Sequence, residues 1–294
     1  MAVYKRSYKA YHGPLTPRRS RFLVLTRYAA GDLFQSRFFV ALLFFCMLPV
    51  LLGAGFIYIA NSETAQAILK LGKQSFLLVD ARFFCNLLIA QAWLALLLTS
   101  WVGPVLVAGD LADGALPLFL SRPFSRTEYV LGKIAVLGAL LSAVTWVPLL
   151  LLFVLQAGLA KGSWLWPNLW MAGAILLTSW MWIAVLSAVA LALSAWVKWR
   201  IVATGVTYAL FFVPAGFGEA FNAVMRTNWG RLLNLPYLFR VVTYDRFHLP
   251  LDFFQSFSNR AIPAAAAWLT LLLVCVLALA ILNRRLRARE VVRG

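Results

Sequence analysis

Six apolar runs divide this sequence, and each is about as long as a helix that crosses a bilayer. A helix needs roughly 20 apolar residues to span the hydrocarbon core. Hydrophobic residues make up 63% of the 294 positions and charged residues only 13%, whereas soluble domains carry about 25% charged residues. We therefore predict an all-α, polytopic membrane protein with six transmembrane helices, over residues 38–60, 83–108, 131–158, 168–197, 201–218 and 261–283.

Prolines and short connections predict irregularities in these helices. Pro49 lies inside the first run and predicts a kink, which neighbouring helices tolerate in a membrane. The fifth run is short and ends near Pro214 among several glycines, so we expect that helix to break or bend there. Only residues 198–200 separate the fourth and fifth runs, which predicts a tight hairpin.

Lysine and arginine residues are distributed unevenly between the two sides of the predicted bundle. With the N-terminus in the cytoplasm, 18 of the 27 lie on the cytoplasmic side. Five of the other nine fall in one long loop, and long loops translocate with less regard to charge. The positive-inside rule therefore predicts cytoplasmic termini. The net charge of +17 is in this way an orientation signal and does not indicate a nucleic-acid partner.

The charge pattern divides the chain into three parts. Residues 1–37 are predicted to be a basic N-terminal arm followed by an amphipathic helix in the cytoplasmic headgroup layer. The alternative is a basic flank without such a helix. Residues 38–283 form the six-helix transmembrane domain, and residues 284–294 form a basic cytoplasmic tail.

Residues that carry chemistry are scarce within the spans. No Asp, Glu, Lys or Arg lies in the middle of a span, which disfavours a proton-driven carrier but leaves sodium coupling through carbonyls open. The two histidines lie far apart outside the spans, and the three cysteines lie in apolar runs, so no metal site is predicted. The phosphate-binding motif G-x-x-x-x-G-K-[ST] is absent. We therefore predict no catalysis and no cofactor bound by this chain.

Some polar residues within the second and fifth spans are candidates for lining a substrate pathway. The alternative is that they are ordinary interhelical hydrogen-bonding groups, worth about 0.6 kcal/mol each. The candidate pathway residues are Asn86, Gln91, Thr204 and Tyr208.

Two connecting segments are more ordered than simple loops require. The sequence "GDLADGALPLFLSRPFSRTEYVLGK", residues 109–133, lies on the predicted cytoplasmic side, with its loop over 109–130. It is either a hairpin packed on its own helices or a docking site. Residues 216–260 face outward, and we predict short re-entrant or interfacial helices around "FGEAFNAVM" and "WGRLLNLPYLF", the alternative being an ordinary surface loop.

The 109–133 segment resembles the loop between the second and third spans in membrane subunits of type-2 ABC exporters. That family commonly has an acidic residue, three further positions, Gly-Thr-Leu, two leucines, Ser-x-Pro-x-Ser-Arg and then Gly-Lys. Asp110 stands here where Glu is usual, and Ala115 where Thr is usual. The matching residues are Asp110, Gly114, Leu116, Leu118, Leu120, Ser121, Pro123, Ser125, Arg126, Gly132 and Lys133. The six spans and the basic helix before them are similar to the same family over nearly the whole chain.

The resemblance implies a permease subunit of an ATP-driven exporter in the cytoplasmic (inner) membrane of a bacterium. It implies that two such subunits form a homodimer and that a separate dimeric ATPase, carrying ATP and Mg²⁺, docks on a coupling helix in this loop. The implied docking residues are Asp110, Asp113, Gly114, Leu116, Ser121, Arg122, Pro123, Ser125, Arg126, Glu128 and Lys133.

A second hypothesis uses the same loop without transport. The chain would then be a membrane anchor or mechanotransmission subunit that relays the motion of the ATPase to a periplasmic partner through residues 216–260. Transport requires a polar or lateral path at the dimer interface, whereas transmission requires only a moving outer surface. Neither hypothesis identifies a substrate.

Overall fold

A computed structural model describes residues 21–68, 78–112, 126–160, 162–197, 199–250 and 262–291. The N-terminal arm, most of the 109–133 segment and the end of the 216–260 segment lie outside these ranges. Within them every regular element is helical, which confirms the all-α prediction. The α-helices are α1 (Arg21–Phe34), α2 (Arg37–Asn61), α3 (Glu63–Ile68), α4 (Ala81–Ala112), α5 (Arg126–Val144), α6 (Trp146–Leu159), α7 (Leu165–Ser194), α8 (Arg200–Met225), α9 (Leu235–Arg246) and α10 (Ala264–Val291), and a 3-10 helix, Trp229–Leu233, precedes α9.

Six helical segments are long and apolar enough to cross a membrane, as the sequence predicts. They are Arg37–Asn61, Ala81–Pro104, Glu128–Leu159, Leu165–Ser194, Ile201–Met225 and Ala264–Arg285. The chain is therefore an integral membrane protein. The position of α1 in the headgroup layer and the cytoplasmic side of the termini stay predictions.

The bundle has two ends, which we name by the residues that lie there. The inner end contains the end of α4 at Ala112 and the start of α5 at Arg126. The outer end is the opposite one, where the Asn61 amide at the end of α2 donates to the Gln156 side-chain oxygen on α6, at 2.8 Å. The charge distribution predicts that the inner end is cytoplasmic.

α7 lies at the centre of the bundle. The buried share of its most apolar stretch is 72%, whereas the buried share of the corresponding stretch is 17% in α2 and 22% in both α8 and α10. α4 packs most extensively on α7. A Cβ atom on Gly103 of α4 would lie only 2.7 Å from the Cβ of Ala190 on α7. Small residues at this level therefore allow the two helices to approach closely.

An interruption in the third span, at Thr145, was not predicted. Thr145 has φ −97° and ψ −91°, outside the helical region, and it separates α5 from α6. Pro148 has no N–H to donate to the carbonyl of Val144, and its ring crowds the same turn. At the interruption itself, the Thr145 hydroxyl donates to the carbonyl of Leu141, at 2.7 Å. The interruption thus has a local cause in the sequence.

The fifth span does not break at Pro214, so the first of the two predicted alternatives is wrong, while a bend there stays a prediction. α8 continues through that proline to Met225 and ends where Arg226 adopts the left-handed conformation, with φ 51°. The ring removes one helical hydrogen bond, which a membrane helix tolerates when the rest of the helix is intact. α2 likewise continues through Pro49. The tight connection between α7 and α8 is confirmed, since only residues 195–199 separate them.

Candidate functional site

The segment that resembles an ATPase-docking loop joins the inner ends of α4 and α5. α4 ends at Ala112 and α5 begins at Arg126, so residues 113–125 lie outside the described ranges. These include seven of the predicted docking residues, namely Asp113, Gly114, Leu116, Ser121, Arg122, Pro123 and Ser125. The described flanks define where the chain enters and leaves this segment.

α4 extends beyond its apolar run. The run ends at Ala108, and the helix continues for four more residues to Ala112, which adds about 6 Å of helix. Asp110 lies in this last turn. The C-terminal turn of a helix disfavours negative charge, so Asp110 does not lie where the dipole of α4 would stabilise a carboxylate. Asp110 is therefore a residue of the last turn of α4.

The N-terminal helix α1 is fixed against the start of α5. The hydroxyl of Thr26 on α1 donates to the carbonyl of Gly132 on α5, at 3.2 Å, and the two helices pack along each other. α2 begins directly after α1, where the Ser36 hydroxyl accepts from the N–H of Phe39 at 3.4 Å. A displacement of α5 at the loop would therefore also act on α1 and α2.

Lys133 is a buried residue of the bundle. Its residue is only 4% exposed, and its Nζ lies 5.6 Å from the centre of the buried Tyr129 ring. A cation over an aromatic face is stabilised by the quadrupole of the ring. Glu128, in the first turn of α5, is half-buried. Lys133 therefore packs within its own chain, while the segment before it remains the candidate contact surface.

The predicted pathway residues are spread along the bundle. α4 and α8 are antiparallel neighbours whose Trp93 and Phe212 rings stack with centres 6.0 Å apart. Asn86 is exposed on the outer side of this contact, and Thr204 is half-buried on the inner side. The two are separated by roughly 22 Å along the helix axes. The structure thus brings the second and fifth spans together but does not gather these side chains into one pocket.

The other two pathway candidates differ in burial. Tyr208 is half-buried on α8, and its ring lies 6.4 Å from that of Phe212. Gln91 is completely buried on α4, and neither its amide nitrogen nor its oxygen has a hydrogen-bond partner among the described residues. A buried amide without a partner costs about 1–3 kcal/mol. Gln91 therefore lies in the interior of the bundle and lines no open surface in this conformation.

Sequence reasoning missed a residue that connects four helices. The indole N–H of Trp182 on α7 donates to the carbonyl of Ala92 on α4, at 3.0 Å. The centre of its ring lies 4.6 Å from that of Phe239 on α9 and 6.0 Å from that of Phe211 on α8. The sequence offers no signal for this role, because one tryptophan among many in the spans is not distinguished by its neighbours.

The outer segment folds back onto the helix that precedes it. The N–H of Gly230 in the 3-10 helix donates to the side-chain oxygen of Asn222 on α8, at 2.8 Å. A Cβ atom on Gly230 would overlap the carbonyl oxygen of Gly218, so both positions require glycine. Next to this contact, Arg231 donates through Nε to Glu219 at 3.1 Å. The predicted helix around "FGEAFNAVM" is in fact the end of α8.

α9 returns between the long helices. Phe239, early in α9, contacts Trp182 near the middle of α7, whereas Phe247, just after α9, lies 6.3 Å from Trp170 near the start of α7. α9 therefore begins deep in the bundle and rises to the outer end. Its cap is the side chain of Asn234, which accepts from the N–H of Tyr237 at 3.0 Å. Its buried residues are Leu235, Pro236, Leu238, Phe239, Val241, Val242 and Thr243.

Neither the site chemistry nor comparison with known proteins assigns an activity. In the part of the chain that the structure describes, no three His, Cys, Asp or Glu side chains group to hold a metal ion. No protein-family model and no curated protein matches this chain. What the protein does must therefore be inferred from its own residues and geometry.

Proposed function

We propose that this chain is the permease subunit of an ATP-driven exporter, and that a separate ATPase subunit docks on residues 109–133. The observation that carries the proposal is the construction of the loop's flanks. α4 extends about 6 Å toward the loop past its apolar run, which ends at Ala108, within reach of a water-soluble partner. The other flank of the loop is the start of α5, which α1 holds through the hydrogen bond from the Thr26 hydroxyl to the Gly132 carbonyl.

The helices that leave this loop can carry a displacement through the bundle. α4 is continuous from Ala81 to Ala112, a length of about 48 Å, and it packs on both α7 and α8. A push on the inner end of α4 would therefore change its contact with α8, where the Trp93 and Phe212 rings stack. In the proposed function ATP and Mg²⁺ are bound by the ATPase subunits, and this chain supplies the moving helices.

A second copy of this chain is the proposed partner within the membrane. α2, α8 and α10 leave most of their apolar surface uncovered. On α8 small residues recur along the exposed side, at Gly205, Ala209, Gly216 and Ala220, a spacing that allows close helix contact. The proposed path for the substrate lies between the two copies, beside α4 and α8.

Charge reversal in the loop tests the docking. Arg122→Glu with Arg126→Glu replaces two cations that can form charge-assisted hydrogen bonds with a partner. We expect the purified double variant to lose most of the vanadate-sensitive ATP hydrolysis that accompanies the wild-type chain from membranes of its host. The matched control is Arg82→Glu with Arg226→Glu, two exposed residues near the outer end. Equal hydrolysis in both double variants would refute docking through this loop.

A non-transporting transmission subunit is a second candidate, favoured by the Trp182 contacts. Through that residue α4 is joined to α9 of the outer segment, by a hydrogen bond on one side and by the Phe239 ring on the other. Thiol accessibility during ATP turnover separates the two functions. Transport predicts a change in labelling at Thr204→Cys and Ala209→Cys, whereas transmission predicts a change only at an outer position such as Trp229→Cys.

A further inference from the structure

Arg285 contacts Trp196 at the inner end of the bundle, and Arg284 and Trp199 lie close to these two residues in the sequence. The guanidinium carbon of Arg285 on α10 lies 4.8 Å from the centre of the Trp196 ring, in the connection between α7 and α8. Arg284 beside it is exposed. Trp196 is 57% exposed and Trp199 is 76% exposed. We call these four residues the inner Arg–Trp cluster.

The charge of this cluster is not neutralised by the described residues. Neither Arg284 nor Arg285 forms an ion pair with a described carboxylate, and the buried Nε of Arg285 has no hydrogen-bond acceptor there. In the sequence Lys198 and Arg200 flank Trp199, while Glu290 is the one acidic residue from position 284 to the C-terminus. A partly buried guanidinium without an acceptor is unfavourable, so this site favours a ligand with negative charge.

The cluster lies where the membrane surface is expected. Arg285 follows the apolar run of α10, which ends at Leu282, by three residues, and Trp196 follows the end of α7 by two residues. Tryptophan rings and basic residues at the ends of spans lie at the level of the lipid headgroups. Ile201, the second residue of α8, is 87% exposed, which suits contact with acyl chains directly beside the cationic groups.

We propose that the inner Arg–Trp cluster binds the headgroup of an anionic phospholipid. A phosphodiester presents two oxygens to a planar guanidinium, which can form paired charge-assisted hydrogen bonds with them. The Trp196 ring holds Arg285 in place on one face, so less side-chain freedom is lost when the lipid binds. The adjoining apolar residues of α8 would contact the chains of the same lipid. The proposal does not depend on the permease function.

Native mass spectrometry of the full-length protein in detergent tests this proposal, with phosphatidylglycerol and phosphatidylcholine added separately. We expect Arg284→Gln with Arg285→Gln to weaken phosphatidylglycerol binding about 25-fold, since each basic residue at a membrane surface contributes about a fivefold effect. The control is Arg82→Gln with Arg246→Gln at the outer end, where Arg246 is already paired with Asp245 at 2.7 Å. Equal weakening in the control, or equal wild-type affinity for both lipids, would overturn the proposal.

Two further variants distinguish a specific lipid-binding site from non-specific attraction by the surface charge. Trp196→Leu keeps every charge but removes the ring beneath Arg285, and we expect phosphatidylglycerol binding to weaken about threefold. Unchanged binding would refute a specific site that includes the Trp196 ring. If the double arginine variant does not fold, Arg284→Gln is measured alone, because that side chain is exposed. We expect its affinity for phosphatidylglycerol to fall about fivefold. An unchanged affinity would overturn the proposal. Complete displacement of the lipid by inorganic phosphate would show a free-anion site and contradict a lipid site.

Discussion

At the outer end of the bundle Arg231 and Arg246 pair with carboxylates of the same chain, whereas at the inner end Arg284 and Arg285 pair with none of the described ones. The outer segment also buries the apolar residues of α9 between long helices, whereas tryptophans are exposed at both ends, namely Trp166 and Trp229 at the outer end and Trp196 and Trp199 at the inner end. The difference indicates that the outer segment is held by intramolecular contacts. The inner end presents groups that suit a partner or the membrane surface.

The largest expected effect tests the close contact at the outer end. Gly230→Ala would place a Cβ atom against the carbonyl oxygen of Gly218 and 2.7 Å from the side-chain oxygen of Asn222. Because the obstacle is backbone, the 3-10 helix would have to move away from α8. We expect the free energy of unfolding to fall by about 3 kcal/mol, measured by denaturation in mixed detergent micelles.

The matched control for this change is Gly216→Ala on α8, the helix against which Gly230 packs. No atom lies within 4 Å of the position that its Cβ would occupy, and alanine favours a helix over glycine by about 0.5–1 kcal/mol. We expect a small gain in stability or no change. If Gly230→Ala were as stable as this control, the outer segment would not be held against α8 as described.

An intermediate effect is expected where the outer segment meets the centre of the bundle. Trp182→Phe removes the N–H that donates to the carbonyl of Ala92 and reduces the contact with Phe239. Lost packing and one lost hydrogen bond predict a decrease of about 2 kcal/mol in the free energy of unfolding. Trp166→Phe is the control, since that side chain is 75% exposed. If the free energy of unfolding fell less for Trp182→Phe than for Trp166→Phe, this would contradict the conclusion that Trp182 joins α7 to α4 and α9.

The smallest effect on stability is expected at the inner end. Thr26→Val keeps the shape of the side chain but removes the hydroxyl that donates to Gly132. Hydrogen bonds between membrane helices contribute about 0.6 kcal/mol on average, so the free energy of unfolding should change by no more than about 1 kcal/mol. We expect a clearer decrease in the ATP hydrolysis that copurifies with the chain. Thr270→Val, which removes a bond within α10, is the control.

The positions of the spans could be predicted from the sequence, because long apolar runs have no other stable place than a membrane or a core. The ends were less predictable. α4 continues past Asp110 to Ala112, which hydropathy alone does not predict, and α8 continues past Pro214. The interruption at Thr145 could have been inferred from Pro148, three positions later, whose missing N–H removes a helical bond.

Much less of the candidate site could be predicted. The residue pattern of the 109–133 segment indicated a docking loop, but it did not indicate that Lys133 is buried against Tyr129. The bond between Thr26 and Gly132 joins residues 106 positions apart, and no local pattern predicts such a pair. Gly218 offered a signal, since glycine often marks a close backbone approach, but the glycines near Pro214 were interpreted as a break or bend in the helix.

The sequence by itself determined an all-helical chain with six membrane-crossing segments and a strong excess of positive charge on one predicted side. Only the tertiary structure decided that α7 is central while α2, α8 and α10 are peripheral. The physical reason is that lipid tails are as apolar as a protein core, so hydropathy does not distinguish the two surroundings. The tertiary structure likewise brought Arg285 onto Trp196, because that contact depends on how distant helices pack.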